Sequence, residues 1–371
     1  MPGTRKRRPR KGIVLVDGAG GFLGSHVVER LCHEGWEVRA TDLPSADLSC
    51  ARAAGAEVVR ADLLDTDAAK DLVRGVRSVV HIAGLFKYSL PLETLRRANV
   101  EATRRLCEAS ADAGIERFVH ISSNTVYGSP VRTPIREDHP RLPDNAYGLS
   151  KKEGEDVALS FCRDRGLPVV SLRPAGIYGP RSRYGLADFF ACTALLRAKG
   201  MRRAPLVEGG PVMHHVHVGD VARAILVLLE APVEWGEAYN VGDETPLALG
   251  DLFACVYEQI GIERSFSIPY AARAARLISR LAKVVPAAFF DRMNASLARA
   301  WQEVVQREGL EPALTPRIDR DYLGYFVGDF SLATSKIKAL GFEPQHPSTV
   351  QGIADTIQWY RAQHWLPPRH F

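Results

Sequence analysis

Two side chains in the stretch NAYGLSKKEGE could handle a proton together. Tyr147 and Lys151 stand four residues apart, the spacing that puts two side chains on one face of a helix. A free phenol titrates near ~10 and is a poor acid or base at neutral pH. An ammonium one turn away, joined by a second positive charge nearby, stabilises the phenolate and brings it into a useful range. Upstream, HISSNTVYG carries Ser123 just past an apolar run. From there its hydroxyl is placed to hydrogen-bond a hydroxyl or carbonyl oxygen of a substrate. Tyrosine and lysine at this spacing are common by chance, so their meaning depends on the elements that position them.

Those elements begin with VDGAGGFLGSHVVERL. Gly18, Gly21 and Gly24 recur every third residue between the apolar run Ile13 to Val16 and the helical pattern HVVERLCHEG. Glycine there lets the chain turn sharply, approach a pyrophosphate and pack helix against strand, while the helix N-terminus offers free N–H groups to an anion. Asp42 closes the next strand, EVRATD, 18 residues past Gly24. A carboxylate at that point bonds the adenosine ribose hydroxyls and repels a 2′-phosphate. The pair of features predicts a dinucleotide cradle with NAD preferred over NADP. Arg39 lies earlier in the same strand rather than at its tip. The oxidised nicotinamide ring then supplies the second positive charge beside Tyr147, and Lys151 would reach the nicotinamide ribose.

Further strands are expected in AEVVRA, SVVHIAG, RFVHISS and PVVSLRPAGIYG, the last with its exit loop, with helices near 67–74, from Asn99 to Gly114, and over YGLSKKEGEDVALSFCRDRG. Strict alternation of strand and helix predicts an α/β fold with a doubly wound parallel sheet, whose ligands bind at the carboxyl edge. After Gly179 repeated prolines break the pattern into shorter elements, which reads as a smaller second lobe. A strand near EAYNVG and a helix near Ala222 to Glu230 return to the main sheet.

Composition sets the outer limits. The chain of 371 residues is 46% hydrophobic and 25% charged, as in ordinary globular proteins. Its formal charge is +5, but Arg5, Lys6, Arg7, Arg8, Arg10 and Lys11 supply six positive charges, leaving 5 − 6 = −1 for the rest. The basicity therefore belongs to a tail, residues 1–11, read as a disordered leader, and no nucleic-acid partner is expected. Six scattered cysteines without a CxxC pair read as reduced thiols in a cytoplasmic protein. No apolar window reaches the ~18 residues of a membrane span. His215 and His217 would share one face of a strand, but no third ligand follows at a recognisable spacing, so no metal is expected. Asp65 and Asp67 read as helix caps.

With GAGGFLGS, TDL, ADLLD, VVHIAGL, ANVEATRRL, ISSNTVYG, YGLSK, RPAGIYGP and EAYNVG in place, the chain resembles the extended short-chain dehydrogenase/reductase family, the NAD-dependent epimerase/dehydratase superfamily. The resemblance implies a Rossmann NAD-binding domain at 12–179 and a mainly substrate-binding lobe at 180–371, with elements at about 212–242 returning to the first. It implies catalytic roles for Ser123, Tyr147 and Lys151. Phe22 and Leu23 would join the glycine loop, Asp62 and Leu63 flank the adenine, Ile82, Ala83, Gly84 and Asn99 line the cofactor, and Pro174 and Ala175 lie near the nicotinamide. Asp17 stands where the family usually has threonine, and aspartate can buttress the same turn. The helices Asn99 to Gly114 and Ser150 to Gly166 would make a homodimer interface.

Within the family, nucleotide-sugar enzymes usually carry an asparagine where this chain has Gly176, and an arginine where PVMHHVHVGD has methionine and histidine. A 4,6-dehydratase further needs an acid where Asn124 stands. SIPYAARAARLISRLAKVVPAAFF places Arg273, Arg276, Arg280 and Lys283 on one helical stripe, with Ile278, Leu281 and Val285 opposite. Such a helix rests on an anionic membrane through 268–290, forms a greasy lid, or buries its apolar face on the lobe. The second half resembles the 3β-hydroxysteroid dehydrogenase-like branch. That implies an NAD(P)-dependent oxidoreductase interconverting a secondary alcohol and a ketone on a hydrophobic, sterol-like or long-chain substrate. The alternative is a nucleotide-sugar epimerase/dehydratase with tightly bound NAD.

Overall fold

A computed structural model describes residues 12–86, 90–130, 132–319 and 324–369, apart from the Lys283 side chain. The basic tail 1–11 and the place of Lys283 in the helical stripe lie outside the described residues. The first half alternates as expected: β1 (Ile13–Val16), α1 (Phe22–His33), β2 (Glu37–Asp42), α2 (Ser49–Ala53), β3 (Glu57–Arg60), α3 (Thr66–Val73), β4 (Ser78–His81), α4 (Leu92–Arg96), α5 (Ala102–Asp112), β5 (Arg117–Ile121), α6 (Ala146–Arg165) and β6 (Val169–Pro174). The second half holds β7 (Gly176–Tyr178), α7 (Leu186–Ala198), β8 (Arg203–Glu208), β9 (Val212–Met213), β10 (His215–His217), α8 (Val218–Glu230), β11 (Ala238–Val241), β12 (Leu247–Ala248) and α9 (Leu249–Ile260). It closes with β13 (Glu263–Pro269), α10 (Ala272–Val284), α11 (Ala287–Glu308), α12 (Ser335–Lys338) and α13 (Thr349–Ala362).

Seven parallel strands form the main sheet in the order β11-β6-β5-β4-β1-β2-β3. Successive side chains of a strand point to opposite faces, and the central strands are apolar on both. Val14, Val80, Val119 and Val170 pack on one face with Val28 and Leu31 of α1 and Val221 and Ile225 of α8. Leu15, Val79, Phe118 and Val169 pack on the other with Leu72 of α3, Leu106 of α5 and Ala158 of α6. Burial on both sides explains why these strands read as continuous apolar runs. The strand order doubles back between β1 and β4, which opens a crevice at their carboxyl ends.

Three local departures from the sequence expectation matter for the site. The helix expected from Asn99 begins earlier, at Leu92, and passes through a π-helical turn, Arg97–Glu101, before α5. One extra residue in that turn carries Asn99 into the interior, as π-bulges commonly do at functional positions. In PVVSLRPAGIYG the expected exit loop is itself a short strand: β6 stays in the main sheet, and β7 pairs with β10 instead. Val285 lies past the end of α10, so it does not continue the apolar stripe.

Residues 215–241 rejoin the first half through α8 against α1 and β11 on β6. Phe330, Leu332, Ile337 of α12 and Phe342 join the same core, while α7, α9, α11 and α13 build a cluster of their own around Phe190, Val256, Trp301, Ile357 and Tyr360.

Candidate active site

A cleft of about 930 Å³ lies over the carboxyl ends of the central strands, and every site residue expected from the sequence lines it. Gly18, Gly21, Phe22, Leu23 and Gly24 form one wall, Asp42, Asp62 and Leu63 one end, and Ile82, Ala83, Gly84 and Asn99 the floor beside them. Ser123, Tyr147, Lys151, Pro174 and Ala175 close the middle.

The glycine loop is shaped by close approach. Gly18 has φ +61°, a left-handed conformation, and a Cβ on it would stand 2.9 Å from the Ala83 nitrogen. A Cβ on Gly24 would lie 2.0 Å from the Gly18 carbonyl oxygen, so helix and turn can meet only with glycine there. Asp17 explains its departure from threonine: its carboxylate accepts the Ile82 and Ala83 N–H groups, both at 2.6 Å, and bonds His81 Nδ1 at 2.7 Å. It ties the loop after β1 to the loop after β4. At the tip of β2, Asp42 accepts from Gly20 N–H at 2.9 Å and Leu43 N–H at 2.7 Å. Arg39 is engaged elsewhere, donating to Glu57 and to the Leu72 and Arg74 carbonyls at 2.9 Å each. With that arginine occupied and a carboxylate at the strand tip, the cradle fits NAD and not a 2′-phosphate.

The proton-handling group is held by α6. Asn145 caps the helix by accepting from Gly148 N–H at 2.8 Å, which starts it one residue before Tyr147. Tyr147, Lys151 and Glu155 then follow at four-residue steps down one stripe. Lys151 Nζ donates to the Ile121 carbonyl at 2.6 Å, and burial lowers its ammonium from 10.5 to about 8, against the pull of Glu155 and Asp17. Burial pushes the Tyr147 phenol well above its ordinary range, while the Ser123 hydroxyl bonded to it acts in the opposite direction. A buried cation one turn from a buried phenol favours the phenolate once substrate and cofactor exclude water. Glu155 is fully buried and bonds Arg173 of β6 through both oxygens, at 2.5 and 3.0 Å, and Arg141 at 2.9 Å. Ser123 caps the short turn after β5, accepting from Thr125 N–H at 3.2 Å and the Thr125 hydroxyl at 2.8 Å. Asn99 bonds Ser150 at 2.9 Å and Leu85 N–H at 2.7 Å, which pins the π-helical turn to α6.

Sequence reasoning missed the aromatic wall around Tyr147. Phe86 stands edge-on to it at 5.0 Å between ring centroids, and Tyr184 lies 4.8 Å from Phe86. These rings come from separate loops, and no spacing in the sequence connects them. On the substrate side the cleft is lined largely by Leu186, Phe189, Met213, Phe253, Phe326 and Phe330, with Arg317, Asp188 and Asp319. Arg317 bonds Asp319 at 3.0 Å, and burial raises the Asp188 carboxyl to about 7. His215 lines the cleft opposite Gly176, where a Cβ would sit 3.1 Å from its ring. Burial, then His214, lowers it to about 3, so it is neutral.

The other histidines of HHVH are structural. His214 accepts from Leu332 N–H and bonds the Asp243 carbonyl, both at 2.9 Å. His217 does find two possible co-ligands in Asp220 and His346, yet its ring stacks on His346 at 3.7 Å and 29°. A metal bound to imidazole lies in the ring plane, and rings stacked this way share no such point at bonding distance.

Residues 14–242 match the NAD dependent epimerase/dehydratase family. The UDP-glucose 4-epimerase of Mycolicibacterium smegmatis is 32% identical over 315 residues, covering 80% of this chain and 95% of its own. The dTDP-glucose 4,6-dehydratase of Streptomyces niveus is 28% identical, covering 96% and 95%. In three dimensions the chain follows the dTDP-glucose 4,6-dehydratase DesIV of Streptomyces venezuelae, solved with NAD bound, at a TM-score of 0.70 and 24% identity over 96% of this chain and 99% of that one. The two sequence relatives carry the names of a UDP-glucose 4-epimerase and a dTDP-glucose 4,6-dehydratase, so the 3β-hydroxysteroid dehydrogenase-like branch expected from the second half is not borne out by them. A glycine cradle sized for NAD, a tyrosine and lysine stripe beside it and a family match over most of the chain agree: this protein belongs to the NAD-dependent epimerase/dehydratase family.

Proposed function

We propose that this chain is an NAD-dependent epimerase-type enzyme that oxidises and re-reduces a secondary alcohol on a nucleotide-activated sugar. The observation that carries the chemistry is the buried Tyr147 and Lys151 stripe in the same cleft as the glycine cradle and Asp42. The relatives named above support the substrate class. Bound NAD supplies the hydride acceptor and donor. Tyr147, as the phenolate that the Lys151 ammonium stabilises, takes the proton from the substrate hydroxyl and becomes the neutral phenol, which returns the proton when the ketone is re-reduced. Ser123 bonds the same substrate oxygen and keeps it facing Tyr147. Asn124 has no acidic proton to give a departing hydroxide, which favours epimerisation over dehydration. Incubation with UDP-glucose, UDP-N-acetylglucosamine and dTDP-glucose, without added cofactor and followed by NMR, tests this. Turnover of one of them, lost in Tyr147→Phe while NAD remains bound, is expected. Full activity in that variant refutes the assignment.

A second reading rests on the substrate side of the cleft. Its wall is aromatic and apolar, its arginine is bonded to Asp319, and neutral His215 faces Gly176 where sugar-nucleotide enzymes usually carry arginine and asparagine. Those features favour a hydrophobic alcohol, sterol-like or long-chain, oxidised with release of NADH. A panel of such alcohols assayed for NADH formation separates the two readings. Response to them, with none to nucleotide sugars, reverses the order.

A further inference from the structure

We infer that α10, with the strand feeding it, is a docking surface for an anionic lipid membrane. The helix has three faces when its residues are laid out at about 100° each. Ala275, Ser279 and Ala282 form a narrow face turned toward the protein, with Ser279 and Ala282 buried. Leu277, Ile278, Leu281 and Val284 form a second face that is 58, 57, 53 and 76% exposed. Arg273, Arg276 and Arg280 form a third, beside the apolar one, and make no ion pair among the described residues. An amphipathic helix of a globular protein ordinarily buries its large apolar residues. Here small residues are buried and large ones face outward, so the apolar face lacks a partner among the described residues.

Charge decides what that partner is. From Arg264 to Phe290 the sequence holds five cations and no aspartate or glutamate. A second copy meeting this face around a two-fold axis would bring the same arginine rows together. An anionic bilayer offers hydrocarbon to the apolar face and headgroup phosphates to the arginines. Phe266, Ile268 and Phe289, at 60, 44 and 58% exposure, extend the apolar surface along the same segment. No helix among the described residues is long and apolar enough to cross a membrane, so the contact lies on the surface. The surface also adjoins the cleft: Tyr270, just before the helix, donates its hydroxyl to the carbonyl of Phe326, which lines the cleft.

The test is flotation of the full chain with vesicles of phosphatidylcholine alone or with one-third phosphatidylglycerol. Binding to the anionic vesicles that weakens with salt is expected, with little to the neutral ones. Combined Arg273→Glu, Arg276→Glu and Arg280→Glu should weaken it about 100-fold, given the usual gain per cation at an anionic surface. Leu277→Ser with Leu281→Ser should also reduce it, and unchanged melting and NAD binding in both variants show that they are folded. Absence of wild-type binding overturns the inference, as does equal binding to both compositions. So does a dimer that the serine variant splits while vesicles bind neither protein. None of these outcomes depends on which alcohol the cleft accepts.

Discussion

Replacing Lys151 by methionine should remove turnover and, separately, change how stability responds to pH. Burial lowers the ammonium from 10.5 to about 8, and each unit corresponds to about 1.4 kcal/mol. Keeping this charge inside the folded protein therefore costs about 3 kcal/mol at neutral pH. Between the two values the unfolded chain holds a proton that the folded chain has released, so stability rises with pH across that window. Integrating the two titrations gives a gain of about 2 kcal/mol for the wild type between pH 7 and pH 9.5. Methionine has no proton to exchange, so the difference in stability, wild type minus variant, should rise by that amount over the same range. Loss of the bond to the Ile121 carbonyl, worth about 1 kcal/mol, shifts the variant by a constant and leaves the slope alone. Urea unfolding of both proteins, followed by circular dichroism at several pH values, reads the difference directly. Two parallel stability curves would show that Lys151 is not a buried cation held at a cost, and the reasoning about Tyr147 would fall with it.

Three further outcomes follow from the geometry of the cleft. Asp42→Ala should weaken NAD binding about 10- to 100-fold while narrowing the gap to NADP; titration calorimetry with both cofactors measures this, and an unchanged ratio removes Asp42 from cofactor choice. Gly24→Ala forces a methyl group against the Gly18 carbonyl, so a loss of about 3 kcal/mol in stability and of NAD binding is expected, and wild-type melting would contradict the packing described. Glu155→Gln leaves Arg173 without its full counter-charge and should destabilise by about 3 kcal/mol or more in urea unfolding; a neutral result would mean that the pair is not enclosed as described.

The first half of the fold was legible because its signals are local. Gly18, Gly21 and Gly24 sit within one turn of chain, and Tyr147 and Lys151 within one turn of helix. The strands between them carry their apolar character on both faces, so they stand out as runs. What escaped reading arises from contacts between distant segments. Phe86, Tyr184 and Tyr325 belong to three loops, and only folding brings them toward Tyr147. His346 reaches the ring of His217 across 129 positions, and Leu332 fixes His214 through its backbone N–H. The break of RPAGIYG at Ala175 depends on β10 being available to pair with β7. No periodicity in the segment itself records that.

The clamp between Glu155 and Arg173 bears on how such a protein can change its chemistry over generations. It welds the helix that carries Tyr147 and Lys151 to the strand that ends in Pro174, through two side chains that do not themselves line the cleft. The redox centre is thereby a fixed unit. The walls contributed by α7, α9 and the segment around Arg317 belong to a separately packed cluster, and they can drift in shape and polarity without disturbing that unit. Substrate preference is therefore the quickest property to diverge in this architecture, and proton handling the slowest.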